Sequence, residues 1–268
     1  MKINVIVGCE GMLGKQIVAA KLSNTENVVI GYDMISVSNF THDRFHFVSG
    51  SVENRSEIAG LRDKIKEVQL RYGSGSTLDC IINSFAASEY KYEKSEIPEE
   101  IPETDWMLWG WQNYPDQDFI KQYDINVVGI HRVLTTLYDS YKDSQSCSIV
   151  NFSSQFAKRN LDQVIFRNLG HYIFKPPAYS ASKAALENYT QYLSQLFKGT
   201  GIRVNSIAPG IVFSGQSEAF TEKYSLTTNS GRLMNPKEIV GAIDFLTSED
   251  SSYMNGACLT IDGGWSVR

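Results

Sequence analysis

Short apolar runs alternate with longer amphipathic stretches along the chain. The runs Ile3–Val7, Val28–Gly31, Phe45–Val48, Cys80–Ile82, Ser148–Phe152, Arg203–Ile207 and Cys258–Ile261 read as strands. Most are apolar at successive positions, the pattern of strands covered on both faces. Between them Met12–Leu22, Arg55–Val68, Phe119–Tyr141, Ser180–Phe197 and Pro236–Thr247 read as helices. The last opens on Asn235-Pro236-Lys237-Glu238, an N-cap followed by proline at the first helical position and glutamate at the third. Such alternation predicts an α/β fold of three layers, doubly wound around a mainly parallel, seven-stranded sheet.

Two stretches break the rhythm. Glu89–Asp105 holds seven acids against two lysines and runs into Trp106, Trp109 and Trp111. Gln155–Ala178 is net basic, with Lys158, Arg159, Arg167, His171 and Lys175 against the single acid Asp162. The alternation resumes after each, so the expectation is one domain over 1–268 with loop insertions near 87–118 and 155–178.

Composition narrows the picture. A chain of 268 residues, 42% hydrophobic and 21% charged, is neither disordered nor fibrous. A net charge of −5 argues against nucleic acid as a partner. Cys9, Cys80, Cys147 and Cys258 are far apart and form no CxxC pair, so buried thiols are expected and no metal site. The apolar run from Ile3 to Gly8 is cut by Glu10, too short for a leader or for the roughly 20 residues of a membrane span. A cytoplasmic protein with no membrane partner is expected.

Two places carry chemistry. The first strand ends in Gly8-Cys9-Glu10-Gly11-Met12-Leu13-Gly14 and leads directly into a helix. Glycines there permit a tight turn and close approach of a pyrophosphate to the helix N-terminus. A ligand-free turn is the plainer reading of the same glycines. Asp33, at the end of the second strand and 19 residues past Gly14, is placed either to accept ribose hydroxyls or to cap the next turn. Further on, Tyr179 and Lys183 stand four apart on one helix face. A tyrosine of ordinary pKa about 10 is a poor acid or base at neutral pH, and a neighbouring ammonium lowers it by roughly 1–3 units.

With these in place the sequence resembles the short-chain dehydrogenase/reductase family over nearly its whole length. Tyr179-Ser180-Ala181-Ser182-Lys183 is similar to the family's Tyr-x-x-x-Lys motif, which implies Tyr179 as acid/base with Lys183 beside it. Ile149–Ser154 resembles the strand ending in the substrate-binding serine, which implies Ser154, with Ser153 as the alternative. Asp124-Ile125-Asn126-Val127 resembles the segment whose asparagine, here Asn126, anchors a relay water. Asn83, Ser84 and Phe85 match the family's Asn-Asn-Ala-Gly segment at the first residue only. Pro209, Gly210, Val212 and Ser214 resemble the loop that receives the nicotinamide carboxamide, and Asp262-Gly263-Gly264 the C-terminal signature. The resemblance implies a Rossmann fold, a small-molecule substrate, and a homotetramer or homodimer formed through the helices of Asn126 and Tyr179.

Departures from the pattern carry information as well. The glycines are spaced three and three, as in the longer branch that modifies sugar nucleotides, while the C-terminal parts follow the shorter branch. Ser51, before Val52, stands where an aspartate usually touches adenine, and Val7 where threonine is common. Ser154 lies 25 residues before Tyr179, about twice the common gap. The cofactor follows from charge: a 2′-phosphate would meet Asp33 with Glu10 nearby and no arginine in Tyr32–Ser36. Like charges about 4 Å apart repel by roughly 4 kcal/mol at a dielectric of about 20, which favours NAD.

The expected activity is hydride transfer between NAD(H) and a secondary alcohol or ketone. Within the family, Lys175-Pro176-Pro177-Ala178-Tyr179, Gly210–Gln216, Phe220, Tyr224 and Gly264-Trp265 resemble oxidoreductases of bacterial flagellin-modification and surface-glycan pathways. That implies a sugar derivative, anionic if Arg159 and Arg167 face it rather than a subunit interface. Alternatives are an apolar alcohol or ketone beside the tryptophans, a noncatalytic dinucleotide sensor, and a nucleotide-sugar epimerase or dehydratase, which usually carries a further substrate domain.

Overall fold

Each apolar run becomes a strand in the computed structural model, which describes all residues except 73–77, 89, 92–95, 100, 103–104, 161, 163–164, 166–172 and 268. The strands are β1 (Lys2–Val7), β2 (Asn27–Asp33), β3 (Phe45–Ser49), β4 (Leu78–Asn83), β5 (Tyr90–Lys91), β6 (Cys147–Phe152), β7 (Ile173–Phe174), β8 (Ile202–Pro209) and β9 (Cys258–Ile261). Seven of them form one sheet in the order β3-β2-β1-β4-β6-β8-β9, every pairing parallel. The helices are α1 (Met12–Ser23), α2 (Arg55–Tyr72), α3 (Trp106–Gln112), α4 (Asp116–Tyr123), α5 (Gly129–Tyr141), α6 (Pro177–Leu196), α7 (Glu218–Ser225) and α8 (Ile239–Leu246).

Strand side chains alternate between faces, and both faces are covered. Ile3, Val5 and Val7 pack with Val28, Ile30, Ile149 and Val204 against α2, α5 and α6. Ile6 faces the other way, with Val29, Ile82, Val150 and Ile207 against α1 and α8. Burying one such side chain contributes about 1.5–3 kcal/mol, so the two layers hold the sheet firmly between them. The cysteines are free thiols; Cys9, Cys80 and Cys147 are buried and Cys258 partly so.

Several expectations need correction. The stretch Phe119–Tyr141 is helical throughout, but the helix starts earlier, at Asp116, and a π-helical turn at Asp124–Val128 separates α4 from α5. Pro236–Glu238 is a 3₁₀ turn ahead of α8, though the capping box is present, with Asn235 N–H donating to Glu238 Oε2 at 2.7 Å. α6 begins at Pro177, three residues before the expected start, because a proline lacking an N–H is favoured there. The insertions are more than loops: β5 from the first pairs antiparallel with β7 from the second, Tyr90 opposite Phe174. Local patterning cannot reveal a two-residue pairing across more than 80 positions.

A third apolar cluster caps the carboxyl edge. Ile97, Trp106, Phe156, Ile165, Phe220, Tyr224, Leu233 and Trp265 form it, with Trp109 and Tyr179 packed against it. Trp106 is thus core filling, whereas Trp111 is exposed. No helix among the described residues is long and apolar enough to cross a membrane, and among them no cluster of His, Cys, Asp and Glu could hold a metal.

Candidate active site

The residues that follow β1, β4, β6 and β8 share one edge of the sheet. The chain leaves β1 for β2 on one side while β4 lies on the other, and the crevice opens at that switch point.

The half of the crevice over β1 and β4 is built from backbone. Gly8 has φ +82°, and a Cβ there would press on Phe85 N at 2.9 Å. A Cβ on Gly14 would overlap the Gly8 carbonyl oxygen, so α1 packs directly on the turn. Gly11 is the N-cap of α1, no side chain caps that end, and its first turn holds no acid. The N–H groups of Met12 and Leu13 therefore begin a helix whose positive end is open to an anion. These features fit a dinucleotide pyrophosphate.

Asp33 lies beside this turn. Its Oδ2 accepts the Glu10 N–H at 2.9 Å and its Oδ1 the Met34 N–H at 2.8 Å. The carboxylate thus caps the loop, as one of the two readings expected, and each oxygen keeps a lone pair for another donor. Glu10 itself is held by Ser38, Asn39 and Lys15, which keep its carboxyl below the usual range despite partial burial.

Around them, Ser51 donates its N–H to Glu57 and accepts from the Tyr32 hydroxyl through its carbonyl. Val52 packs with Phe85 beside Gly129, where a Cβ would meet Val52 at 3.0 Å. Asn83 donates to Asn151 Oδ1 at 2.9 Å, and its own buried Oδ1 has no protein partner. Ser84 Oγ donates to the Val7 carbonyl. On the far side, Gly210 N–H donates to Ile261 at 2.8 Å, and a Cβ on Gly210 would come within 3.0 Å of Asp262 Cα. Val212 bridges to Met234, and Ser214 N–H donates to Gln216 Oε1.

The half over β6 and α6 is built from side chains. A hydrogen bond joins Tyr179 to the Ser154 side chain. Ser153 turns away, its Oγ on Glu187 Oε1 at 2.8 Å. Lys183 is buried; its Nζ donates to the Phe152 carbonyl at 2.6 Å and lies 5.9 Å from the Tyr179 ring centre. Burial, with Lys175 beside it, brings Lys183 down to about 7. Burial pushes Tyr179 up, against the Ser154 hydrogen bond. Here the structure departs from the expectation that Lys183 lowers Tyr179. Loss of solvent around the phenol dominates.

Asn126 lies in the π-helical turn, a feature common at functional sites. Its side chain clasps Ala87, accepting the N–H at 2.8 Å and donating to the carbonyl at 2.9 Å, and also donates to Ser182 Oγ. Arg159 is exposed, its guanidinium 5.7 Å from the Trp265 ring, and Arg167 lies outside the described residues.

Sequence reasoning left three groups out of the site. Tyr224 accepts the Ile211 N–H and donates to Gln155 Oε1 at 3.0 Å, tying the loop after β8 to the residue after Ser154. Phe156 stands edge-on to both Tyr179 and Trp265. Lys175 lies 4.0 Å from the Tyr179 ring centre. For Lys175 the signal was present: a cation four residues before the tyrosine, across two prolines.

Fold and site together define a doubly wound α/β domain with a glycine turn fit for a dinucleotide and a Ser–Tyr–Lys group on its carboxyl edge. A family profile described as enoyl-(acyl carrier protein) reductase matches residues 109–266, and the chain belongs to the short-chain dehydrogenase/reductase family. A short-chain dehydrogenase from Leptospira borgpetersenii, solved with bound NAD+, superposes with a TM-score of 0.81 at 27% identity, over 99% of this chain and 92% of that one. Post-translational flagellin modification protein A of Campylobacter coli is 22% identical across 99% of this chain and 98% of its own. The 2-dehydro-3-deoxy-D-gluconate 5-dehydrogenase of Pseudoalteromonas atlantica is 33% identical across 44% of this chain and 54% of its own. For several curated relatives the chain spans about half their length: 43%, 54% and 57%.

Proposed function

We propose that the protein is an NAD-dependent oxidoreductase acting on a CH–OH group of a sugar derivative. The observation that carries this reading is the meeting of Ser154, Tyr179 and Lys183 at the end of β6, beside a glycine turn with no room for side chains. Bound NAD supplies the hydride acceptor. Ser154 holds the alcohol oxygen, Tyr179 takes its proton as the carbonyl forms, and Lys183 supports the tyrosine; reduction runs the same steps backward. Asn126 acts as the anchor of the π-turn behind them. A noncatalytic sensor would not need this convergence.

Gly8, Gly11, Met12, Leu13 and Gly14 are assigned to the pyrophosphate, and Asp33 to the adenosine ribose. Ser51 and Val52 flank the adenine; Asn83, Ser84 and Phe85 line the ribose side. Pro209, Gly210, Val212 and Ser214 receive the nicotinamide. The carboxylates of Asp33 and Glu10 favour NAD over NADP, whose phosphate they would repel.

Full-length similarity to a flagellin modification protein supports a sugar derivative. Exposed Arg159, its guanidinium 5.7 Å from the Trp265 ring, suits a substrate that carries an acidic group. An oligomer through α5 and α6 is supported by exposed Tyr138, Tyr192 and Leu196 on those helices. A screen of phosphorylated and nucleotide sugars by NADH fluorescence tests the substrate class. Arg159→Ala should raise KM several-fold for the active compound without changing oligomer size; an unchanged KM would remove Arg159 from the site.

A further inference from the structure

The basic insertion delivers a second ammonium to the tyrosine. Lys175 follows β7 directly and is joined to α6 by Pro176 and Pro177. A residue before proline is held extended, and Pro176, with φ −60° and ψ 143°, caps the helix that Pro177 begins. The link from Lys175 to Tyr179 is therefore stiff, closed by the Tyr179 N–H donating to the Pro176 carbonyl at 3.1 Å. Lys175 Nζ donates to the Ser88 carbonyl at 2.9 Å, which ties it to the first insertion as well. From that anchor it stands 4.0 Å from the centre of the Tyr179 ring and 6.0 Å from that of Phe156. Lys183 Nζ is 5.9 Å from the centre of the same tyrosine ring.

We propose that Lys175 is a positioning residue of the proton-transfer couple: its fixed ammonium beside the Tyr179 ring opposes a second charge on Lys183 and favours loss of a proton from the pair. The proposal rests on the reading of Tyr179 and Lys183 as that couple. The buried lysine gives up its proton more readily because a like charge stands nearby, and a phenolate beside that charge is favoured for the same reason. Lys175, tied to Ser88, is the neighbour whose like charge acts on Lys183, which burial brings down to about 7. The two groups titrate together, and removing a nearby cation raises the proton affinity of both, whichever holds the proton.

The neighbouring ionisable groups are otherwise engaged. Glu187, one turn along α6, takes Ser153 Oγ and Cys258 Sγ. Tyr224 is bonded to Ile211 and Gln155 and feels the Asp262 charge. Asp124 of the π-turn is paired with Arg132, and the Tyr189 hydroxyl with His131. Among the described residues, Lys175 is the one charge that adds to burial in acting on Lys183.

The test is a carbon-13 NMR titration of protein labelled at lysine Cε, with the Lys183 signal identified by its loss in Lys183→Arg. No cofactor or substrate is required. Lys183 should titrate near neutral pH in the unaltered protein and in Lys175→Arg. Its midpoint should rise by about one unit in Lys175→Met, and further in Lys175→Glu. This order, following charge, separates an electrostatic role from loosening of the insertion, which would move Met and Glu variants alike. An unchanged midpoint in Lys175→Met, or equal shifts in Met and Glu variants, overturns the role of Lys175 and leaves the dehydrogenase reading standing. Should Lys175→Met fail to fold, Lys175→Gln replaces it as the neutral variant under the same criteria.

Discussion

The two halves of the carboxyl edge are made of different material. Over β1 and β4 the surface is main chain, with glycines at Gly8 and Gly14 where any side chain would collide and an uncapped helix end facing the crevice. Over β6 and α6 it is side chains, among them a buried lysine and a tyrosine whose proton affinities burial has moved in opposite directions. The first half is suited to hold a charged group without reacting, since peptide N–H groups donate hydrogen bonds but are not ionised at working pH. The second is suited to move protons, because its groups are titratable, Lys183 being buried and Tyr179 partly so. Damage to the first should therefore appear in binding, and damage to the second in turnover.

The largest effect expected from breaking this division is at Gly14. A valine there would drive its side chain into the Gly8 carbonyl and force the turn away from α1. Gly14→Val should abolish NADH binding by fluorescence titration; unchanged affinity would show that the turn is not the cofactor site.

A smaller effect is expected at Asp33. The unaltered protein should prefer NAD(H) over NADP(H) by at least about tenfold, or roughly 1.4 kcal/mol. Asp33→Ser should narrow that ratio by removing repulsion, while weakening NAD as ribose hydrogen bonds and the cap on the Glu10 and Met34 N–H groups are lost. Parallel titrations with both cofactors check it, and equal affinities in the unaltered protein would sink the charge argument.

The same division explains what could be read from the chain alone. The backbone half is written locally: a strand, three glycines at fixed spacing and a helix all lie within Lys2–Ser23. The parallel sheet was legible for a similar reason, since strands such as Cys147–Phe152 are buried at every position and read as continuous apolar runs. The Tyr179–Lys183 spacing was legible because both stand on one helix. What surrounds them was not. The pairing of Tyr90 with Phe174, the bond from Lys175 to Ser88 and the clasp of Asn126 on Ala87 join residues 39 to 87 positions apart. No local period encodes such contacts. The π-turn at Asp124–Val128 escaped because its apolar spacing differs from that of an α-helix by a single residue.

The measurement that tests the account most directly is turnover by Tyr179→Phe, followed through NADH with whichever alcohol the unaltered protein is found to oxidise. The substitution removes one oxygen, and with it the group bonded to Ser154, while leaving the ring that packs on Phe156. A positioned acid/base contributes about 10²–10⁴-fold. Turnover should fall by at least about a hundredfold while NADH binds within about twofold of the unaltered protein. Turnover retained in Tyr179→Phe, or lost only because NADH no longer binds, would contradict the assignment of proton transfer to the side-chain half.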